Sequence, residues 1–141
     1  MNALPQSQTR RSPRVLNLSL WGVQGLLALI LVGGGLWKLA TPIEQVADAF
    51  AWAGEMPDLL RVTAAIDVIG GLGVLLPSLT RVQPRLAVLA ALGIAALQAS
   101  AIVFHFSREE GADTGFNFVL VLLALFVAWG RRGKAPILPR R

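Results

Sequence analysis

The chain has 141 residues, of which 55% are hydrophobic and only 15% charged, whereas soluble domains usually run nearer about 45–50% and 25%. It has no cysteine, no tyrosine and one histidine, which excludes disulfides, thiolate metal sites and thiol redox chemistry supplied by this chain alone. The formal charge of +5 does not point to nucleic acid, because the basic residues are segregated along the chain instead of forming one continuous solvated surface.

A helix needs about 20 apolar residues to cross a bilayer core. On that measure the chain divides into a basic tail (1–14), a four-span transmembrane domain (15–130) and a second basic tail (131–141). The first span, about 15–40, is interrupted only by Asn17, Ser19, Gln24 and Lys38. Arg10-Arg11 ahead of it resembles a twin-arginine signal, but the apolar run exceeds the roughly 7–15 residues of a signal peptide core. Thr41-Pro42-Ile43-Glu44 reads as a capping box, with Thr41 as N-cap, Pro42 at N1 and Glu44 at N3. Ile43, Val46, Ala47 and Phe50 follow at helical spacing. They predict a short amphipathic helix on the outer surface, about 42–55, acting as a connector or as a lid. The second span, about 59–77, is expected to stop at Pro77, and the tight loop to Pro84 makes spans two and three antiparallel neighbours. The third and fourth spans cover about 86–106 and 114–130. The fold class is therefore all-α: an integral membrane four-helix bundle.

Charge sets the expected orientation. Arg10, Arg11, Arg14, Arg81, Arg85 and the five basic residues after Trp129 account for ten of the 13 lysines and arginines, with no acid beside them. Seven of the eight acids, Glu44, Asp48, Glu55, Asp58, Glu109, Glu110 and Asp113, lie on the other side. The positive-inside rule puts both termini and the 78–85 loop of this multi-pass protein in the cytoplasm, as expected for a cytoplasmic membrane. Trp21 and Trp129 at the inner boundary, with Trp37 and Trp52 at the outer one, agree. Small residues supply packing surfaces: Ala87, Ala91, Ala95 and Ala99 on span three, Gly70, Gly71 and Gly73 on span two, and Gly33, Gly34 and Gly35 on span one.

Ionisable and amide groups inside a span are costly and usually face the bundle interior. Lys38, Arg61, His105 and Asn117 fall near the outer boundary, and Asp67 lies roughly 13 Å deep at 1.5 Å per residue. Gln98 is seven residues before His105, so the two share one helix face. Every helix thus contributes a polar residue to the outer half. Two readings stay open for this set: a buried network fixing helix register, or a pocket open to the outer face that binds a polar head or passes protons. Asp67 with His105 lacks the third ligand a metal site needs, and no motif identifies an enzyme.

The order of segments carries a resemblance. Gly35-Leu36-Trp37-Lys38-Leu39, then Asp67-Val68-Ile69-Gly70-Gly71-Leu72-Gly73-Val74-Leu75-Leu76-Pro77, then Ala101-Ile102-Val103-Phe104-His105 and Phe116-Asn117-Phe118-Val119-Leu120 resemble DoxX-like membrane proteins over about 20–130. Similar sequences often carry a glutamate where Asp67 stands. The resemblance implies a four-helix membrane protein acting as an accessory or ligand-binding subunit. Some relatives are linked to thiosulfate:quinone oxidoreduction or to complexes handling thiol or oxidative stress. An alternative it implies is a quinone-linked oxidoreductase subunit using Asp67 and His105, with quinone as the only cofactor suggested. A further alternative is a proton-coupled small-molecule carrier. The partners expected are the lipid bilayer, a redox or membrane protein, and a second copy in a homodimer; nucleic acid is not among them.

Overall fold

The computed structural model describes residues 13–141; Arg10, Arg11 and most of the basic N-terminal tail lie outside them. The described chain is helical: α1 (Arg14–Ala40), α2 (Ile43–Ala49), α3 (Ala51–Glu55), α4 (Pro57–Thr80), α5 (Arg85–Ser107) and α6 (Gly115–Trp129). A 3-10 turn, Gly111–Thr114, leads into α6 and a π-helical turn, Gly130–Lys134, continues it. Four segments are long and apolar enough to cross a membrane: Arg14–Ala40, Pro57–Thr80, Arg85–Ser107 and Gly111–Lys134.

The long helices pack in the order α1, α4, α5, α6, with α6 closing against α1. Leu27, Leu31, Val74, Ala91, Ile94, Leu120, Ala124 and Val127 form the central core. Outside it, Leu29, Ile69, Leu89, Val103 and Leu122 are each more than 60% exposed. In water such a surface would drive association; lipid tails solvate it without cost. This is an integral membrane protein.

Close packing of α1 on α4 rests on two glycines. A Cβ on Gly35 would meet the Ala64 carbonyl at 2.7 Å, and one on Gly71 would meet Val32 Cγ2 at 2.8 Å. Gly33 and Gly34, expected to share this task, have no neighbour within 4 Å at that position. The alanine stripe of α5 also drifts. Ala87, Ala91 and Ala95 are buried but Ala99 is exposed, and burial passes to Gln98. A four-residue step turns about 40° beyond a full helical turn, so three steps carry Ala99 off the face.

Three local expectations need correction. Pro77 does not end the second span, because α4 runs through it to Thr80. So near the helix end, proline removes one hydrogen bond, that to the Gly73 carbonyl; the Gln24 amide donates to the next carbonyl, of Val74, at 2.6 Å. The capping box does not form. Thr41 is the extended C-cap of α1, Pro42 (ψ 141°) precedes α2, and no side chain caps it. A residue before proline is driven to extended backbone, and Pro42 itself is extended, so the helix starts one residue later. Finally, the surface helix is two pieces broken at Phe50 (φ −136°, ψ 89°). The break lets Val46 and Ala53 bury against Leu60 while the Phe50 ring lies 5.7 Å from Lys38 Nζ.

Candidate functional site

At the acidic end of the bundle, beneath α2 and α3, lies a cavity of about 980 Å³ reached by all four long helices. Its walls are largely apolar, with Trp37, Phe50, Trp52, Phe104 and Phe116 among them. Polar residues face it from every long helix: Lys38 from α1, Asp67 from α4, Gln98 and His105 from α5, and Asn117 from α6, with Thr63, Ser100, Glu110 and Asp113 also in the lining. Five of the six residues singled out from the sequence therefore line one space. Arg61 does not; it is exposed on α4 and is no part of the lining. It lies six residues before Asp67, about 120° away after whole turns, and so on another face.

Lys38 Nζ donates to Asp67 Oδ2 at 3.3 Å, with the aspartate side chain 9% exposed and the lysine 25%. Asp67 Oδ1 is buried with no hydrogen-bond partner. Asn117 Nδ2 donates to Gln98 Oε1 at 2.7 Å, which leaves the Gln98 amide N–H groups and the Asn117 carbonyl free to turn to a ligand. Trp52 Nε1 is likewise buried without an acceptor. Thus the site holds unspent donors and acceptors inside an apolar wall.

The rim is held by a chain of charges that the sequence reading missed. His105 Nδ1 lies 3.0 Å from Glu110 Oε2, so against the carboxylate Nδ1 carries the proton. Arg108 donates to Glu110 Oε1 at 3.2 Å and to Glu55 Oε2 of α3 at 2.9 Å, and it sits 5.5 Å from the Phe104 ring. The hydrogen bond from His105, with the Arg108 contact after it, holds Glu110 below the usual glutamate range. The only sequence signal for this was a histidine in the last turn of a helix with an acid just beyond it. Because the folded-state value is the lower one, this contribution is complete above the ordinary glutamate range and is lost as pH falls through the depressed value. Acidification through that depressed value is therefore expected to release His105, which packs against Trp52, and Arg108 from Glu110 before the bundle melts. Quenching of Trp52 by an aqueous quencher should rise over that window, and Glu110→Gln should remove the pH step.

A second polar cluster sits at the basic end. Gln24 is fully buried on α1, donating to Val74 O at 2.6 Å and Ser78 Oγ at 2.9 Å. Arg131, assigned from the sequence to the C-terminal tail, is 4% exposed. It donates from Nε to Gln24 Oε1 and from Nη1 to Asn17 Oδ1, both at 2.7 Å, and to the Ala135 carbonyl at 2.9 Å. A readable signal existed: Leu120, Ala124, Val127 and Arg131 fall at the spacing of one buried helix face. Between the two clusters the core is apolar. Among the described residues no group of three or more His, Cys, Asp or Glu side chains could hold a metal ion.

A family model described as the DoxX-like family matches residues 22–127. That stretch contains every residue lining the cavity and ends before Arg131. No curated protein and no solved structure matches the chain.

Proposed function

Because the chain belongs to the DoxX-like family, we propose that it is an accessory, ligand-binding membrane subunit whose acidic-end cavity takes an amphiphile with an apolar body and a small polar head. One observation carries this reading: a cavity of about 980 Å³ with aromatic walls meets Lys38, Asp67, Gln98 and Asn117, whose hydrogen-bonding capacity is only partly used. Small-molecule sites have this make-up, a mainly apolar lining with a few convergent polar groups. The free donors on Lys38 and Gln98 suit carbonyl or hydroxyl oxygens, and the Asn117 and Asp67 oxygens suit a hydroxyl proton. With the ten basic residues facing the cytoplasm of a bacterial inner membrane, the cavity opens toward the outer side.

A quinone-linked role is the second reading, favoured by His105. Its Nδ1 is held by Glu110, leaving Nε2 to exchange a proton with a quinone oxygen near Asp67. Reduction of the quinone to quinol takes two electrons and two protons, and the electrons would come from a partner redox protein. A proton-coupled carrier is less well supported, since Leu27, Leu31, Val74 and Ile94 fill the space between the two polar clusters.

Tryptophan fluorescence tests both readings, because Trp37 and Trp52 line the cavity. A decyl-substituted benzoquinone and decanol are titrated into the purified protein in micelles. Saturable quenching or shift is expected, weakened roughly tenfold, about 1.4 kcal/mol, in Gln98→Ala. Unsaturable partitioning that is identical in wild type and Gln98→Ala would discard the pocket. Binding of the quinone without any quinol turnover in the presence of membrane redox partners would discard the redox role alone.

A further inference from the structure

Arg131 presents an electrostatic problem that the described chain does not solve. Its guanidinium is buried, yet every acceptor it reaches is neutral: Gln24 Oε1, Asn17 Oδ1 and the Ala135 carbonyl. Nη2 has no partner. No aspartate or glutamate occurs in residues 1–43, 68–108 or 114–141, so none lies on any segment that reaches this end of the bundle. A buried charge without a counter-charge is strongly unfavourable.

A groove opens between the start of α1, the end of α4 and the strap 136–138, lined by Asn17, Trp21, Ser78, Leu79, Arg81 and Leu138 among others, with Arg131 itself behind that lining. Asn17 and Trp21 join it to the buried charge: the one accepts from Arg131, and the ring of the other lies 5.0 Å from the guanidinium carbon. A second guanidinium stands at the groove. Arg81, left-handed at φ 59° where α4 ends, donates from Nε to Leu138 O at 2.9 Å, while Arg140 N–H donates back to Arg81 O at 2.9 Å. With a longer bond from Nη2 to Pro139 O at 3.5 Å, these contacts fix Arg81 and leave Nη1 of its fork unspent.

We propose that this groove holds the phosphate of an anionic phospholipid from the leaflet at the basic end, and that the lipid is the missing counter-charge of Arg131. The charge complementarity is complete at this end: Arg14, Arg81, Arg85, Arg131, Arg132, Lys134, Arg140 and Arg141 face no acid. The rim selects a lipid over a free phosphate. Leu79 and Leu138 are 56% and 68% exposed at the groove, where acyl chains would lie, with the Trp21 indole at headgroup level.

The test compares thermal unfolding of the full chain in micelles carrying phosphatidylglycerol or phosphatidylcholine at equal mole fraction, with soluble glycerol phosphate as a third arm. Phosphatidylglycerol is expected to raise Tm by several degrees over phosphatidylcholine, and glycerol phosphate to do nothing. Asn17→Asp supplies an internal counter-charge at a position already bonded to Arg131. It should raise Tm in phosphatidylcholine and abolish most of the phosphatidylglycerol preference. Arg61→Gln removes one positive charge from the opposite end and should keep the preference. Equal Tm in the two lipids, a preference undiminished in Asn17→Asp, or equal losses in Asn17→Asp and Arg61→Gln would each overturn the proposal. Stabilisation by glycerol phosphate as large as by the lipid would overturn it in favour of a free phosphate.

Discussion

Replacing Lys38 with methionine is expected to destabilise the bundle by on the order of 2–3 kcal/mol, and adding Asp67→Leu to restore most of that loss. The single change strands the Asp67 carboxylate, whose Oδ2 has Lys38 as its partner and whose Oδ1 has none. The double change removes both charges from an apolar setting between α1 and α4, where leucine and methionine can pack. The figure sits below the roughly 3–5 kcal/mol that breaking a fully buried pair costs, because the lysine side chain is 25% exposed and the pair is not fully dry. Unfolding in micelles titrated with a denaturing detergent measures it. Equal stability of the single and double variants would mean that the pair does not hold the two helices together. The double variant also separates fold from site: if it is stable yet no longer shifts the tryptophan signal with the amphiphile, Lys38 and Asp67 act on the ligand itself.

Gln24→Leu is expected to cost on the order of 3 kcal/mol, although leucine is the more apolar residue and the site is fully buried. One interhelical hydrogen bond between neutral groups in a membrane protein averages only about 0.6 kcal/mol. Gln24 does more, since its carbonyl oxygen accepts from the buried Arg131 at 2.7 Å while its amide holds Val74 O and Ser78 Oγ on α4. Removing it takes one of three acceptors from a charged group and unties three helical segments together. A measured loss near the neutral-bond average would show that Arg131 finds water or another acceptor when Gln24 goes. The same detergent titration reads this, and hydrogen exchange at 130–135 should rise with it.

How far each site was legible differs residue by residue. Lys38, Asp67, Gln98, His105 and Asn117 stood out because each is a polar residue in an apolar run, and such residues turn inward whatever their partners. That they would gather in the outer half followed from their positions along the spans, but whether they would close into a network or line a pocket did not. Which of them pair did not follow. Asp67 takes Lys38 and not His105, because α1 packs closely on α4 through Gly35 and Gly71. His105 takes Glu110 instead, across the turn that ends α5. Arg61 was misplaced because depth alone was counted and helical phase was not. Arg131 was overlooked because it stands between two tail-like signals, the boundary tryptophan Trp129 before it and Arg132 after it, and only its phase with Leu120, Ala124 and Val127 marks it as inward.

The sequence by itself determined the class of the protein: the long apolar runs leave a membrane as the one solvent that suits them, since every backbone group in a span is satisfied within its own helix. It also determined the separation of charge, with basic residues gathered at one end and acids at the other. Tertiary structure decided everything that depends on one helix meeting another. It set the pairing of Lys38 with Asp67, the cavity roofed by two short helices broken at Phe50, and the burial of Arg131 against Gln24 and Asn17. Local pattern reports which face of a helix turns inward; it carries no information on what waits there, because that partner comes from residues 29 to 114 positions away.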